Sequence, residues 1–157
     1  MKKIIVDGYN LIHAIPELKN KLGHDLEAAR NDLLNLLIRY RNKKKVNITV
    51  IFDGRPGSIE DREKKKGLKV QFSQAPEKAD QVIKRIIDRI EGEKGVMVVS
   101  SDREIFDYAK VCGLGRIKSG VFAAQLLPSP AKKNKKKIDT EMSDDELQEW
   151  MRLFGSR

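Results

Sequence analysis

The feature that most constrains this chain is an alternation of short β-branched runs with longer amphipathic stretches, sustained over most of its 157 residues. Strands separated by helices pair in parallel, because a parallel pair needs a crossover connection of a dozen or more residues. The pattern predicts a first strand at Lys3–Asp7, whose Ile4-Ile5-Val6 run is apolar on both faces, as a doubly covered strand requires. A long helix is expected over Asp25–Asn42, with Leu26, Ala29, Leu33, Leu34, Leu36, Leu37 and Tyr40 on one stripe. A second strand at Asn47–Asp53, a charged loop at Gly54–Gly67 and a third strand at Leu68–Ser73 follow. Pro76 opens the next helix, which runs to about Glu91 and turns Ala79, Val82, Ile83, Ile86, Ile87 and Ile90 inward. Val96–Ser100 reads as strand four, and Ser101-x-x-Glu104 as the capping box of a helix ending near Cys112. Arg116–Lys118 is a short fifth strand and Gly120–Leu127 a last core helix. The organisation expected is an α/β domain at 1–127, a lysine-rich linker at 128–142, and a C-terminal amphipathic helix at 143–157. That last helix carries Leu147, Trp150, Met151 and Phe154 on one face.

Composition narrows the setting. The formal charge is +9 and 35% of residues are charged. This suits a polyanionic partner and a solvated basic surface equally. A lone cysteine, Cys112, excludes a disulfide scaffold and favours a reducing, cytoplasmic compartment. Too few apolar residues precede Asp7 for a signal peptide or membrane span. The absence of Gly-x-Gly-x-x-Gly and Gly-x-x-x-x-Gly-Lys-[Ser/Thr] disfavours a nucleotide cofactor. Only His13 and His24 could serve a metal-free acid–base scheme, and nothing in the sequence brings them together. Cys112 falls at a helix C-terminus, the wrong end to activate a thiol.

Ligands of open parallel sheets bind beyond the carboxyl ends of the strands. Strand one ends in Asp7, within Val6-Asp7-Gly8-Tyr9-Asn10, and strand two in Asp53, within Phe52-Asp53-Gly54. Asp80 follows strand three in the first turns of a helix, and strand four leads into Ser100-Ser101-Asp102. Each carboxylate has a structural explanation on its own, as an Asp-Gly turn or a charge at a helix start. Four mutually repelling carboxylates at one rim instead call for a cation. An all-oxygen set without clustered His or Cys favours Mg²⁺ or Mn²⁺ over zinc, and such a centre suits phosphodiester hydrolysis. Asn10 and Ser101 could hydrogen-bond a ligand or orient the carboxylates, or could simply cap helices.

In Val6-Asp7-Gly8-Tyr9-Asn10, Phe52-Asp53-Gly54, Ala79-Asp80-Gln81-Val82-Ile83 and Ser100-Ser101-Asp102, the chain resembles the NYN-domain nucleases of the PIN-like superfamily, and their YacP-like bacterial branch most closely. The motifs cover the expected sheet from Met1 to about Leu127. The resemblance implies a three-layer sandwich whose parallel five-stranded sheet runs in the order 3-2-1-4-5, with helices on both faces. It further implies an Mg²⁺- or Mn²⁺-dependent RNA-cleaving site with Asp7, Asp53, Asp80 and Asp102 as its acidic set and Asn10 and Ser101 as accessory polar positions. Through the YacP-like branch it implies mRNA as substrate and the ribosome as partner.

Basic residues fall in clusters. Arg39, Arg41, Lys43, Lys44 and Lys45 precede strand two, at the rim opposite the acids, whereas the loop carrying Arg55, Arg62, Lys64, Lys65 and Lys66 leaves directly from Asp53. The second cluster is the expected RNA contact, with Arg55 foremost. Aromatic residues are 6% of the chain, so phosphate contacts rather than base stacking should dominate, with strong salt dependence. The expected function is a metal-dependent endoribonuclease in which water attacks in line, leaving 5′-phosphate and 3′-hydroxyl ends. The alternative is a non-catalytic RNA- or ribosome-binding module with a structural cation. A phosphoacceptor receiver domain is a third possibility, and it leaves Asp80 and Asp102 unexplained.

Overall fold

β-branched residues, stiff at χ1, recur in the central strands, and the longer helices between strands turn apolar residues toward the sheet. The computed structural model describes residues 2–54, 68–74 and 76–127. Its strands are β1 (Lys3–Asp7), β2 (Asn47–Asp53), β3 (Leu68–Ser73), β4 (Val96–Val99) and β5 (Gly115–Ile117). Its helices are α1 (Gly8–His13), α2 (Pro16–Lys21), α3 (Leu26–Lys44), α4 (Ala79–Arg89), α5 (Arg103–Val111) and α6 (Ser119–Leu126). All pairings are parallel and the sheet order is β3-β2-β1-β4-β5.

Two apolar layers sandwich the sheet. On one face Ile4, Val6, Val50, Phe52 and Val99 pack with Leu11, Ile12, Leu33, Leu37 and Phe122 of α1, α3 and α6. On the other, Ile5, Ile51 and Val98 pack with Val82, Ile83 and Ile87 of α4 and Ile105 and Ala109 of α5. Alternate residues of β1 thus enter opposite cores, which is why Ile4-Ile5-Val6 is apolar throughout.

β1, β2 and β3 fall where the periodicity predicts, and the differences elsewhere have local causes. The segment between β1 and α3 holds two helices of six residues each, α1 and α2, too short to show a helical period; Pro16 opens α2. Helix α4 begins at Ala79 rather than Pro76, because the Ala79 N–H is taken by the Asp53 carboxylate at 2.6 Å. Helix α5 starts at Arg103 with Asp102 as its N-cap, not Ser101. β4 stops at Val99, while β5 and α6 begin one residue earlier than expected. Leu26 stands 42% exposed, off the buried stripe of α3. The linker at 128–142, the helix expected at 143–157, and the loop bearing Arg55, Arg62, Lys64, Lys65 and Lys66 lie outside the described residues.

Gly8 sets how closely α1 approaches β2. A Cβ there would lie 2.5 Å from the Phe52 ring and 2.9 Å from the Ile51 carbonyl oxygen. Neither a buried ring nor a strand backbone withdraws easily. Gly8→Ala should therefore destabilise the fold by about 1–3 kcal/mol, measured as a lowered urea midpoint with an unchanged m-value.

Candidate active site at the carboxyl rim of the sheet

The carboxyl ends of the central strands lie side by side, with Asp7 opposite Ile51, Val6 opposite Val99, and Asp53 opposite Ser73. Asp7 is the N-cap residue of α1, yet its side chain caps nothing. Its Oδ2 accepts instead from the Ser100 hydroxyl at 2.9 Å. Ser100 is 1% exposed, and its Oγ also accepts the Asp102 N–H at 3.0 Å, tying both acidic positions to one buried hydroxyl.

Asp53 reaches across the rim. Its Oδ1 accepts from Ser73 Oγ at 2.9 Å and from the Ala79 N–H at 2.6 Å, a negative charge at the N-terminus of α4, where the helix dipole favours it. Gly54 next to it has φ +103°, the turn geometry that Asp-Gly suggests. Fixing Ala79 also fixes the neighbouring Asp80, half-buried in the first turn of α4. Asp102 caps α5, its Oδ1 accepting the N–H groups of Glu104 at 2.8 Å and Ile105 at 3.3 Å. Two of the four carboxylates thus have structural duties as well as a place at the rim.

The four acidic positions are coupled electrostatically through Asp7. The Asp7 carboxyl is pushed up to about 6, chiefly by burial; the Ser100 hydrogen bond opposes this, and the charges of Asp102, Asp53 and Asp80 raise it further. A site that resists ionisation of its central acid has the donor chemistry for a hard cation. Among the described residues no three His, Cys, Asp or Glu side chains are gathered as a ready-made chelate. This still suits Mg²⁺, which keeps several waters and takes only one or two carboxylates directly. In donor chemistry the residues present fit a hydrated divalent ion, and the charges of the other three aspartates all act on Asp7.

The accessory positions are structural ties rather than caps. Asn10 lies inside α1, and its Oδ1 accepts from the Ser101 N–H at 2.7 Å and Ser119 Oγ at 2.6 Å. Ser101 Oγ accepts the Ser119 N–H at 3.1 Å. Ser73 and Ser119 were not apparent as site residues from sequence, although both stand where a strand gives way at the carboxyl rim. Lys84, one turn beyond Asp80, was also missed. It pairs with Glu104, and that hydrogen bond, reinforced by the charges of Asp80 and Asp102, holds its ammonium above the usual range. His13 and His24 are exposed and Cys112 is buried, its thiol pushed up by that burial. The phosphoacceptor arrangement fails on topology, since receiver sheets run 2-1-3-4-5 and here the order is 3-2-1-4-5.

A parallel 3-2-1-4-5 sheet covered by helices on both faces and rimmed with acids at its carboxyl ends defines a PIN-like domain. The family model of the YacP-like NYN domain matches residues 4–153, and the chain belongs to that family of RNA-related nuclease domains. It is 30% identical over 87 residues to an uncharacterized protein YacP of Bacillus subtilis strain 168. That alignment covers 55% of this chain and 51% of the relative, so the match spans about half the length of the curated relative. Two crystal structures of Rae1 (YacP) from Bacillus subtilis share the fold. A tryptophan-to-leucine mutant matches with TM-score 0.66 at 21% identity, covering 99% of this chain and 94% of its own. The other matches with TM-score 0.67 at 21% identity, covering 97% and 83%. Among the described residues no helix is long and apolar enough to cross a membrane.

Proposed function

We propose that this chain is a divalent-metal-dependent endoribonuclease, hydrolysing RNA phosphodiester bonds in the cytoplasm and acting on mRNA in connection with the ribosome. The observation that carries the reading is the Asp7 carboxyl, raised to about 6 with three further aspartates adding to the shift at the carboxyl rim of a PIN-like sheet. The mRNA and ribosome assignments rest on the YacP-like resemblance alone.

Asp7, Asp53, Asp80 and Asp102 would hold Mg²⁺ or Mn²⁺. When bound, the ion supplies Lewis-acid polarisation of the phosphodiester and a lowered pKa for the attacking water. The remaining work falls to the chain. Ser100 keeps one Asp7 oxygen in a fixed hydrogen bond, Asp53 fixes the start of α4 beside Asp80, and Asn10 with Ser119 holds the turn before Asp102. Arg55, Arg62, Lys64, Lys65 and Lys66, in the stretch directly after Asp53, would contact substrate phosphates. The second reading is a non-catalytic RNA- or ribosome-binding module with a structural cation, which would bind RNA without cleaving it.

The test is cleavage of RNA, free and on ribosomes, with Mg²⁺, Mn²⁺ or EDTA. Asp102→Asn retains an Oδ1 to cap α5, so its stability should stay within about 1 kcal/mol of the parent. Its cleavage rate should nevertheless fall at least about 100-fold, as loss of a metal-site carboxylate demands. Cleavage that survives EDTA would refute the metal assignment. Binding without cleavage under every ion would establish the module.

A further inference from the structure

One buried charge has no use in that reading. Arg30, on α3, is 6% exposed. Its Nη1 donates to the Tyr9 hydroxyl at 2.8 Å, while its Nε is buried with no acceptor. Ion pairs among the described residues join Lys3 to Glu93, Lys21 to Asp32, Lys84 to Glu104 and Arg85 to Glu77, and none includes Arg30. The guanidinium carbon lies 5.4 Å from the centre of the Phe72 ring and 5.9 Å from that of Phe52. These ring contacts offset part of the cost of burying a cation but leave its Nε without an acceptor. A guanidinium with a free donor is the side chain best matched to a carboxylate or phosphate.

Its location indicates which anion. Phe52 directly precedes Asp53, Phe72 directly precedes Ser73, and Tyr9 is two residues beyond Asp7. Phe52 belongs to the core on the α3 side of the sheet, whereas Asp80 and Asp102 come from α4 and α5 on the opposite side. The strand ends therefore separate an acidic set from a cationic donor. A polyanion crossing the rim would meet Arg30 on one side and the aspartates on the other.

We propose that Arg30, together with the Tyr9 hydroxyl, is the phosphate anchor of the substrate strand, gripping a phosphodiester beside the one that is cleaved. The proposal rests on the nuclease reading and adds a subsite to it. Tyr9 accepts from Nη1 and keeps its own proton to donate, so the pair offers two kinds of donor to one phosphate.

The test is binding of a single-stranded oligoribonucleotide in EDTA, followed by fluorescence anisotropy between about 50 and 200 mM salt, at a temperature where each variant is folded. Arg30→Met should bind about tenfold more weakly, and the slope of log K against log salt should fall by about 0.7, the loss of one phosphate contact. Arg30→Lys should restore the slope but only part of the affinity, because an ammonium lacks the fork. Tyr9→Phe should weaken binding about threefold with the slope unchanged. A purely packing role for Arg30 would alter stability and leave the salt slope alone. Should Arg30→Met fail to fold, Tyr9→Phe decides, and unchanged affinity in it overturns the anchor. Wild-type slope and affinity in folded Arg30→Met also overturn it and leave the nuclease reading standing. A wild-type chain that binds no RNA at any salt overturns both.

Discussion

Replacing Asp7 with asparagine is expected to stabilise the fold and abolish cleavage together. In the unfolded chain the carboxyl titrates near 3.8, and in the folded chain near 6. Between those values the native state binds more protons than the unfolded one, so stability falls as pH rises through this window. Below about 3.8 the acid is protonated in both states and costs nothing; above about 6 the full cost is present. A shift of about two units corresponds to at most about 3 kcal/mol at neutral pH, and solvent at the open side of half-buried Asp7 brings this nearer 2. The substituted amide would retain an Oδ1 to accept from Ser100 while removing the repulsion. Urea unfolding in EDTA near pH 7.5 should give Asp7→Asn a gain of about 2 kcal/mol that fades towards pH 4. Added Mg²⁺ should stabilise the wild type by mass action and leave the variant unmoved. A wild type as stable as Asp7→Asn in EDTA at neutral pH would show that the rim carries no such electrostatic cost.

The same residue shows how far the sequence could be read. Doubly apolar strands ending in Asp7 and Asp53 were legible because a buried parallel strand leaves a plain signature and because ligand sites gather where strands end. The crossing order of the sheet was not legible from periodicity; it came from the family resemblance. α1 and α2 were hidden because six residues cannot show a 3.6-residue period. The start of α4 was misplaced because the deciding hydrogen bond comes from Asp53, 26 residues earlier. Asp102 combines two roles that the sequence sets against each other: it caps α5, and its charge acts on Asp7. Asn10 and Ser101 were legible as polar positions near the rim because both follow a strand end within a few residues. Their partner Ser119 was not, since a contact across 109 residues leaves no local trace.

That contact underlies the second large effect. Asn10 joins three parts of the rim, since α1 carries it, the turn before Asp102 donates to it through Ser101, and α6 donates through Ser119. The two donors would fare differently after Asn10→Ala. Ser101 is exposed and its N–H can turn to water, whereas Ser119 is 1% exposed and its hydroxyl would be stranded. An abandoned buried donor costs about 1–3 kcal/mol, so a total loss near 2–3 kcal/mol is expected in urea unfolding. The catalytic loss should exceed what stability alone explains. The turn that Asn10 holds also carries the Ser100 hydroxyl bonded to Asp7, so kcat should drop about 10- to 100-fold with KM for RNA little changed. Ser119→Ala removes the donor instead, and in the Asn10→Ala background it deletes a hydroxyl already without its partner. The double variant should therefore be less destabilised than the sum of the singles, with a coupling of about 1 kcal/mol or more. Additivity within about 0.3 kcal/mol would mean that α1 and α6 do not act on the rim as one unit. The order at Asp102 would then have to come from Ser100 alone.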